Sequence, residues 1–480
     1  MKNIVFVASE CVPFIKTGGL ADVVGALPKM LDKNEFDVRV IIPNYTCIPW
    51  EYRSKFEYVH HFYMDLGSRF HDVHVGIMKY ELDGIIYYLI DNEFYFNGPT
   101  PYGDIRFDIE KFCFFSKAAL AILPVINFHP DIIHCHDWQA GLVPVYLRTL
   151  YQYNEFFYGT RTIMTIHNLK FQGIWDIKTF RYITGLPDEV FTPAKMEYKK
   201  DANMLKGGIV YADYVTTVSD TYAGEIQMPY YGEGLDGLMR QCNNKLCGIV
   251  NGIDYEIFDP ATDKQIYKNY TIKTLEGKKE NKKKLQEELG MPVDENKFMI
   301  GIISRLTDQK GLDLVNWVMG SIIDEFTQFV VIGTGDEQYE NMFRHYEWTK
   351  KGQVSANIYY NDNRAHKLYA AADAMLMPSR FEPCGLTQLI SLRYGTIPIV
   401  RETGGLKDTV VPYNEFEGTG TGFSFHNYNA DEMLKLINYA KKVYFETRPA
   451  WDAMAIRGME TDFSWENSAK KYQDLYYKLT

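Results

Sequence analysis

Two stretches almost four hundred residues apart read nearly alike: Thr17-Gly18-Gly19-Leu20-Ala21-Asp22-Val23-Val24 and Thr403-Gly404-Gly405-Leu406-Lys407-Asp408-Thr409-Val410. Each follows shortly after an apolar, β-rich run and opens a helical pattern. Glycine permits tight turning and a close approach of backbone to a ligand. The helix that follows offers unpaired N–H groups and a positive dipole end to an anion. One such loop in each half of the chain predicts two similar sheets facing each other across a cleft. The competing reading is a chance match that serves two ordinary strand–helix turns. The strand and helix flanking each copy favour paired ligand loops.

Working outward from these loops, the first series of candidate strands is Ile4–Ala8, Val38–Pro43, Ile132–His136, Thr162–His167 and Tyr214–Val218. The second is Met299–Ser304, Phe329–Gly333, Ala374–Pro378 and Thr396–Val400. Several are apolar throughout, as strands covered on both faces must be. Alternation with helical patterns predicts βαβ units and an α/β class of doubly wound sheets. Asp83-Gly84, between Phe70–Glu81 and Ile85–Asp91, predicts a β-hairpin attached to the first sheet. Asn251-Gly252, within Cys247–Asp254, breaks regular structure and marks the hinge, so the chain divides near residue 250. Lys278–Gly290 reads as a charged helix whose lysines form a solvated face.

The bulk numbers agree with this plan. A chain of 480 residues is too long for one ordinary core and suits two large α/β units. With 46% hydrophobic and 24% charged residues, it is globular in composition. A net charge of -11 argues against a general nucleic-acid binder, which needs a basic footprint. It leaves room for an anionic small ligand, held by a few cations in one cleft. The apolar run Ile4–Ala8 is too short for a signal-peptide core. No stretch approaches the length of a membrane span, so the expectation is a cytoplasmic protein without a membrane partner. The seven cysteines are odd in number and lack the spacing of zinc or redox pairs, which predicts reduced structural thiols.

Chemistry is expected where strands end. Lys16 precedes the first glycine pair and can reach phosphate oxygens as a mobile point charge. Arg305 and Lys310 sit in the loop after Met299–Ser304, where ligands of open α/β sheets lie. Two cations there can neutralise a departing diphosphate without a metal. Glu382, between Phe381 and Pro383, follows another strand, with Gly385 and Leu386 opening a helical run. Its carboxylate either holds sugar hydroxyls and steadies positive charge at an anomeric carbon, or caps the helix, or does both. Cys384 has no evident base and reads as a packed thiol. His134 and His136 share one face of a strand but lack a third metal ligand, so they read as core histidines bonded to backbone. Asp137, Trp138 and His167 suit sugar recognition, as polar contacts and an aromatic platform.

Absences narrow the class further. No Asp-x-Asp pair occurs, the usual metal holder of nucleotide-sugar transferases, which fits phosphate neutralisation by Lys, Arg and helix ends. No Gly-x-Gly-x-x-Gly follows the first strand and no P-loop is present, which weakens dehydrogenase and ATPase readings. Gly333-Thr334-Gly335-Asp336 is a partial glycine pair and weak alone.

Together the segments resemble the glycogen and starch synthases of glycosyltransferase family 5. The resemblance runs through Lys16–Asp22, His136–Gly141, Thr165–Gly173, Thr216–Ile226, Asn251–Asp254, Ser304–Gly311, Gly333–Asp336, Pro378–Gln388 and Arg401–Val410. The combination of Lys16–Leu20 with Arg380–Gln388 is highly specific. It implies a GT-B fold: two Rossmann-like doubly wound domains facing across a deep cleft. The implied domains are 1–247 on the acceptor side and 248–458 on the nucleotide-sugar side, with a helical segment, 459–480, packing back on the first. It implies retaining transfer of glucose from ADP-glucose to the non-reducing end of an α-1,4-glucan (glycogen, starch or malto-oligosaccharide), with no cofactor and no metal.

Residue by residue, the resemblance makes Lys16 a donor-binding lysine, and Arg305 and Lys310 the pair that stabilises the leaving diphosphate. Glu382 becomes the required glutamate, His167 the histidine beside the transferred sugar, and Asp137 a residue needed at the same place. Gly18, Gly19, Asn251, Cys384, Gly385, Leu386, Thr387, Thr403, Gly404 and Gly405 fall in nucleotide-sugar-binding segments. Tyr360 takes the place of an aromatic that stacks on adenine. Phe258 stands where many members have Trp, and Gln139 where some have His. The alternatives are a related GT-B transferase using UDP-glucose and an inactive glucan-binding protein.

Overall fold

The structure is a computed structural model that describes residues 1–67, 71–359 and 361–480. The chain forms two compact units. The first comprises Met1–Val218, Ala223–Ile249 and Ser468–Thr480, and the second Ser219–Tyr222 and Val250–Asn467.

The first unit is built on a nine-stranded sheet. In chain order its strands are β1 (Lys2–Val7), β2 (Phe36–Pro43), β3 (Glu57–Met64), β4 (Val73–Leu82), β5 (Ile85–Asp91), β6 (Ile132–His136) and β7 (Arg161–Ile166). A small separate sheet holds β8 (Ile174–Asp176), β9 (Glu197–Tyr198) and β10 (Asp201–Asn203), and the main sheet resumes with β11 (Tyr214–Thr217) and β12 (Leu246–Gly248). The main order is β12-β11-β7-β6-β1-β2-β5-β4-β3. Every pairing from β12 to β5 is parallel. The expected hairpin is β4–β5, antiparallel, turning at Asp83 and Gly84, whose φ values of 55° and 76° suit a tight two-residue turn. The expected strand start at Phe70 lies outside the described residues.

Why β1 becomes a central strand is plain from its side chains. Ile4, Val5 and Phe6 are all fully buried, which requires cover on both faces. The helix Ile105–Val125 packs beside β5; it buries Ile109, Phe112, Phe115, Leu120 and Leu123, and its first turn is capped by the Asp104 carboxylate.

The second unit holds a six-stranded parallel sheet: β13 (Phe298–Ile303), β14 (Thr327–Ile332), β15 (Val354–Asn357), β16 (Ala374–Met377), β17 (Ile397–Arg401) and β18 (Phe423–Phe425), in the order β15-β14-β13-β16-β17-β18. Side-chain alternation divides its core in two. Phe298, Ile300, Ile302, Phe329 and Val331 pack on one face. Met299, Val330, Ile332 and Met375 pack on the other. The α/β class and the doubly wound sheets are thus observed, and each of the nine expected strands is present.

One expectation fails here. The helix Gly277–Glu288 does not turn all its lysines to water. Lys278 Nζ reaches inward to the carbonyls of Ala370 and Tyr394, both at 3.1 Å, and to Thr396 Oγ1 at 2.7 Å. Lys282 is buried against Asp373 at 2.6 Å. Long amphipathic side chains cross the helix surface to satisfy carbonyls that ended other helices. Among the described residues no helix is long and apolar enough to cross a membrane.

Candidate active site

Parallel register decides which loops emerge together. In the first unit Val7 pairs with Cys135 and His136 with Thr165, so β1, β6 and β7 end at one edge. The loops beyond them carry Glu10–Gly19, Asp137 and His167.

Glu10 is buried and uses both carboxylate oxygens. It accepts from the Thr17 N–H, from Thr17 Oγ1 at 2.7 Å and from the Tyr102 hydroxyl at 2.5 Å. This clamp fixes the backbone just before the glycine pair. Lys16 is half exposed and pairs with Asp22 at 2.8 Å. Gly18 is extended (φ −159°), with nothing within 4 Å of the place where a Cβ would stand, and it begins the helix Gly19–Met30 without a side-chain cap. The open space and the uncapped N–H groups are those of a loop that a ligand can approach.

Asp137 holds φ 54°, in the left-handed region, which turns its carboxylate to accept the His167 N–H at 2.7 Å. Removal from water pushes the Asp137 carboxyl up to about 7, and the nearby Glu10 charge adds to this, against the hydrogen bonds from His167 and Asn168. His167 Nε2 meets His136 Nδ1 at 2.9 Å. Burial brings the His167 imidazole down to about 3, so it is neutral at pH 7.

His134 and His136 are core residues, yet their partners are not backbone groups. His134 is held by the Tyr476 hydroxyl at 2.8 Å and Thr165 Oγ1 at 2.6 Å. Trp138 is no sugar platform: it is buried, edge-on to Phe112 at 5.2 Å, and its ring fills the space where a Cβ on Gly173 would go.

In the second unit Ile303 pairs with Ile332, and Met377 with Val400, which brings the ends of β13, β14, β16 and β17 to one edge. Lys310 Nζ contacts Glu382 Oε2 at 2.7 Å, and Ser379 Oγ donates to the same oxygen at 2.9 Å. Both partners are largely buried, with side-chain exposures of 17% and 7%. Oε1 of Glu382 is left for another donor, and the ammonium has donors to spare. The Glu382 side chain does not cap the helix Thr387–Arg393, which begins at Leu386 without a side-chain cap. Arg305 stands exposed beyond β13.

The second glycine pair is packed closely against its own chain. Gly404 has φ 44°, and a Cβ there would lie 2.0 Å from the Glu382 carbonyl oxygen. A Cβ on Gly405 would lie 2.0 Å from the Cys384 carbonyl oxygen. Gly405 N–H donates to Glu382 O at 3.1 Å. The two loops therefore interlock, and the glycines are needed for that contact. Thr403 is buried beside them, and Gly404–Thr409 forms a short helix. Gly385 holds φ 73° over the Gln388 side chain, which donates to Cys384 O at 2.8 Å. Thr387 Oγ1 donates to Ile303 O at 3.3 Å, tying its helix to the end of β13. Burial pushes the Cys384 thiol up to about 12, as a packed thiol rather than a nucleophile requires. The buried Asn251 Oδ1 has no hydrogen-bond partner among the described residues. Tyr360 lies outside the described residues.

Sequence reasoning missed Glu10, Tyr102 and Ser379. Glu10 carried one signal, an acidic residue at a strand end seven positions before Thr17. Ser379 and Tyr102 carried none. All seven cysteines are free. Among the described residues no group of three or more His, Cys, Asp or Glu could hold a metal ion.

Two doubly wound units, each with cationic, carboxylate and glycine-bearing loops at the carboxyl ends of its strands, define a glycosyltransferase of the GT-B class. The structure is similar to the catalytic domain of Starch Synthase IV from Arabidopsis thaliana bound to ADP and acarbose, with TM-score 0.92 and 31% identity, over 100% of this chain and 99% of that one. It shares its fold with a sucrose-phosphate synthase from Thermosynechococcus elongatus (TM-score 0.63, 16% identity, 100% and 99% covered). Residues 3–241 match the starch synthase catalytic domain, and residues 281–456 the glycosyl transferases group 1. The chain is 64% identical to a glycogen synthase of Lachnospira eligens and 60% identical to one of Lachnoclostridium phytofermentans, each over the full length of both chains. It belongs to the glycogen synthase family.

Proposed function

We propose that this chain lengthens an α-1,4-glucan at its non-reducing end by retaining transfer of glucose from ADP-glucose, in the cytoplasm and without a metal. The observation that carries the chemistry is the Lys310–Glu382–Ser379 cluster, with the exposed Arg305 in the same loop as Lys310. A lysine already anchored by a carboxylate keeps two N–H donors for phosphate oxygens. An exposed guanidinium adds a planar fork that matches phosphate geometry. Together they offset the charge that grows on ADP as the anomeric bond breaks. Glu382 Oε1 takes a sugar hydroxyl, and its charge steadies the oxocarbenium-like centre.

Lys16, Gly18 and Gly19 are assigned to the donor phosphates, Asp137 and His167 to the transferred glucose, and Asn251, Cys384–Thr387, Thr403–Gly405 and Tyr360 to the nucleotide sugar. The acceptor hydroxyl attacks carbon 1 from the face that the diphosphate leaves, and a departing phosphate oxygen takes its proton. Residues 1–247 serve the acceptor and 248–458 the nucleotide sugar, with 459–480 completing the first domain.

The test is incorporation of labelled glucose into glycogen from ADP-glucose and from UDP-glucose, with a chelator present. Faster transfer from ADP-glucose is the expected result. Preference for UDP-glucose would overturn the donor assignment, and no transfer from either donor would overturn the reaction.

A further inference from the structure

Three imidazoles stand in a row in the first unit. His134 and His136 lie on β6, and His167 follows β7. Their ring centroids are 4.4 Å apart from His134 to His136 and 5.3 Å from His136 to His167, with planes within 27° of parallel. Phe6 lies flat against His136 at 5.5 Å. His134 is fully engaged by the Tyr476 and Thr165 hydroxyls. His136 makes one hydrogen bond, from Nδ1 to His167 Nε2 at 2.9 Å. Its Nε2 is buried and has no hydrogen-bond partner among the described residues. The glucosyl-transfer role proposed above does not use His136.

We infer that His136 is a positioning residue that locks His167 in its Nδ1–H tautomer, so that His167 presents a hydrogen-bond donor to the transferred sugar. Two neutral arrangements make the observed bond. In one, His136 carries its proton on Nδ1 and donates to a bare His167 Nε2, which leaves the proton of His167 on Nδ1. In the other, His167 donates from Nε2, and His136 must carry its proton on Nε2, where no acceptor exists. A buried N–H left without an acceptor is rarer and costlier than a buried lone pair left without a donor. The first arrangement is favoured roughly tenfold or more on that ground. A shared cation is not a third choice, because burial holds both rings far below their usual range.

The His167 backbone is fixed independently by the Asp137 carboxylate at 2.7 Å. The side chain is therefore gripped at Nε2 and the main chain at N, which leaves Nδ1 as the ring atom free to meet a ligand. The hydrogen bond made by one ring nitrogen sets the state of the other, and a donor suits a sugar oxygen gaining charge as the glycosidic bond loosens.

The sugar-facing part of this inference rests on the proposed transfer reaction, whereas the tautomer does not. The experiment is long-range proton–nitrogen NMR of the full chain with labelled histidine, for the wild type, His136→Phe and His136→Asn, with His167→Gln supplying the assignment. The expected wild-type result is a protonated Nδ1 and a bare Nε2 on His167. His136→Phe keeps the stacked ring but loses the donor. It should release His167 into both tautomers and lower kcat about 10- to 100-fold, with KM for ADP-glucose changed less than about threefold. His136→Asn returns an N–H near the place of Nδ1 and should recover most of both. A wild-type His167 protonated on Nε2 overturns the inference. So does a Phe variant with wild-type tautomer and kcat. If circular dichroism shows the Phe variant unfolded, the wild-type and Asn spectra decide alone. If the wild type transfers no glucose, the reaction reading fails while the spectra still judge the tautomer.

Discussion

Gly404→Ala is the sharpest probe of the loop interlock in the second unit. The alanine Cβ would stand 2.0 Å from the Glu382 carbonyl oxygen, 2.9 Å from its carbon and 3.2 Å from the Pro383 oxygen. Non-bonded heavy atoms need roughly 3.5 Å, so the two loops must part by more than about 1 Å. Holding φ 44° with a Cβ costs about 1–2 kcal/mol in addition. The neighbour is backbone, which cannot swing aside as a flexible side chain would. Parting the loops moves Glu382 away from Lys310 and Ser379, which meet its carboxylate at 2.7 and 2.9 Å. A displacement of about 1 Å at a reacting centre is worth roughly 100-fold in rate, or about 2.7 kcal/mol of transition-state stabilisation. The expected result is kcat lowered about 100-fold with a thermal midpoint lowered by several degrees. The assays are glucose incorporation into glycogen and a thermal melt. Gly18→Ala is the matched control, with φ −159° and nothing within 4 Å of its Cβ. It should change stability by less than about 0.5 kcal/mol. Gly404→Ala with wild-type kcat and melting temperature would refute the reasoning.

Asp137 ties stability to pH. Its carboxyl lies at about 7 when folded against an ordinary value of 3.8, so the folded state binds the extra proton. Its contribution is present in full below about pH 4 and is lost as pH rises through about 7. Asp137→Asn should therefore melt above the wild type at pH 8, with the gap closing toward pH 4; a constant gap would contradict this. Arg305 is exposed and has no ion-pair partner among the described residues. Arg305→Ala should leave the melt unchanged and lower kcat/KM roughly 100- to 1,000-fold, as loss of a charge-stabilising group does, whereas a large melting shift with little kinetic effect would mark it as structural. Lys282→Met leaves the buried Asp373 carboxylate without its cation, so a loss of about 3–5 kcal/mol is expected in denaturant unfolding. Lys283→Met, on the outer face, should cost less than about 0.5 kcal/mol.

Most of the sheet architecture was legible because a strand buried on both faces must be apolar throughout, as Ile4–Val7 and Phe329–Ile332 are. β3 was not legible. Glu57–Met64 is exposed along nearly its whole length and, among the described residues, pairs with β4 alone, so no burial pattern marks it. β18 is three residues long, too short for any periodicity. The lysines of Gly277–Glu288 were misread because their acceptors lie far along the chain: Asp373 is 91 residues from Lys282. Trp138 was misread for a related reason, since an aromatic next to polar residues has the same composition whether it faces solvent or Phe112.

The sequence alone determined the alternation of buried strands and helices, and the placing of Lys16, Arg305, Lys310, Glu382, Asp137 and His167 just past strand ends. Those features follow from hydrophobic period and local turn chemistry, which need no distant partner. Only the tertiary structure decided how each group is held. It tied Glu10 to Thr17, joined Lys310 to Glu382, and held the twin glycine loops differently: Gly18 with open space beside it, Gly404 and Gly405 packed against Glu382–Cys384. The physical reason is that hydrogen bonds and steric contacts depend on which strands the register aligns, and identical short sequences carry no record of their neighbours.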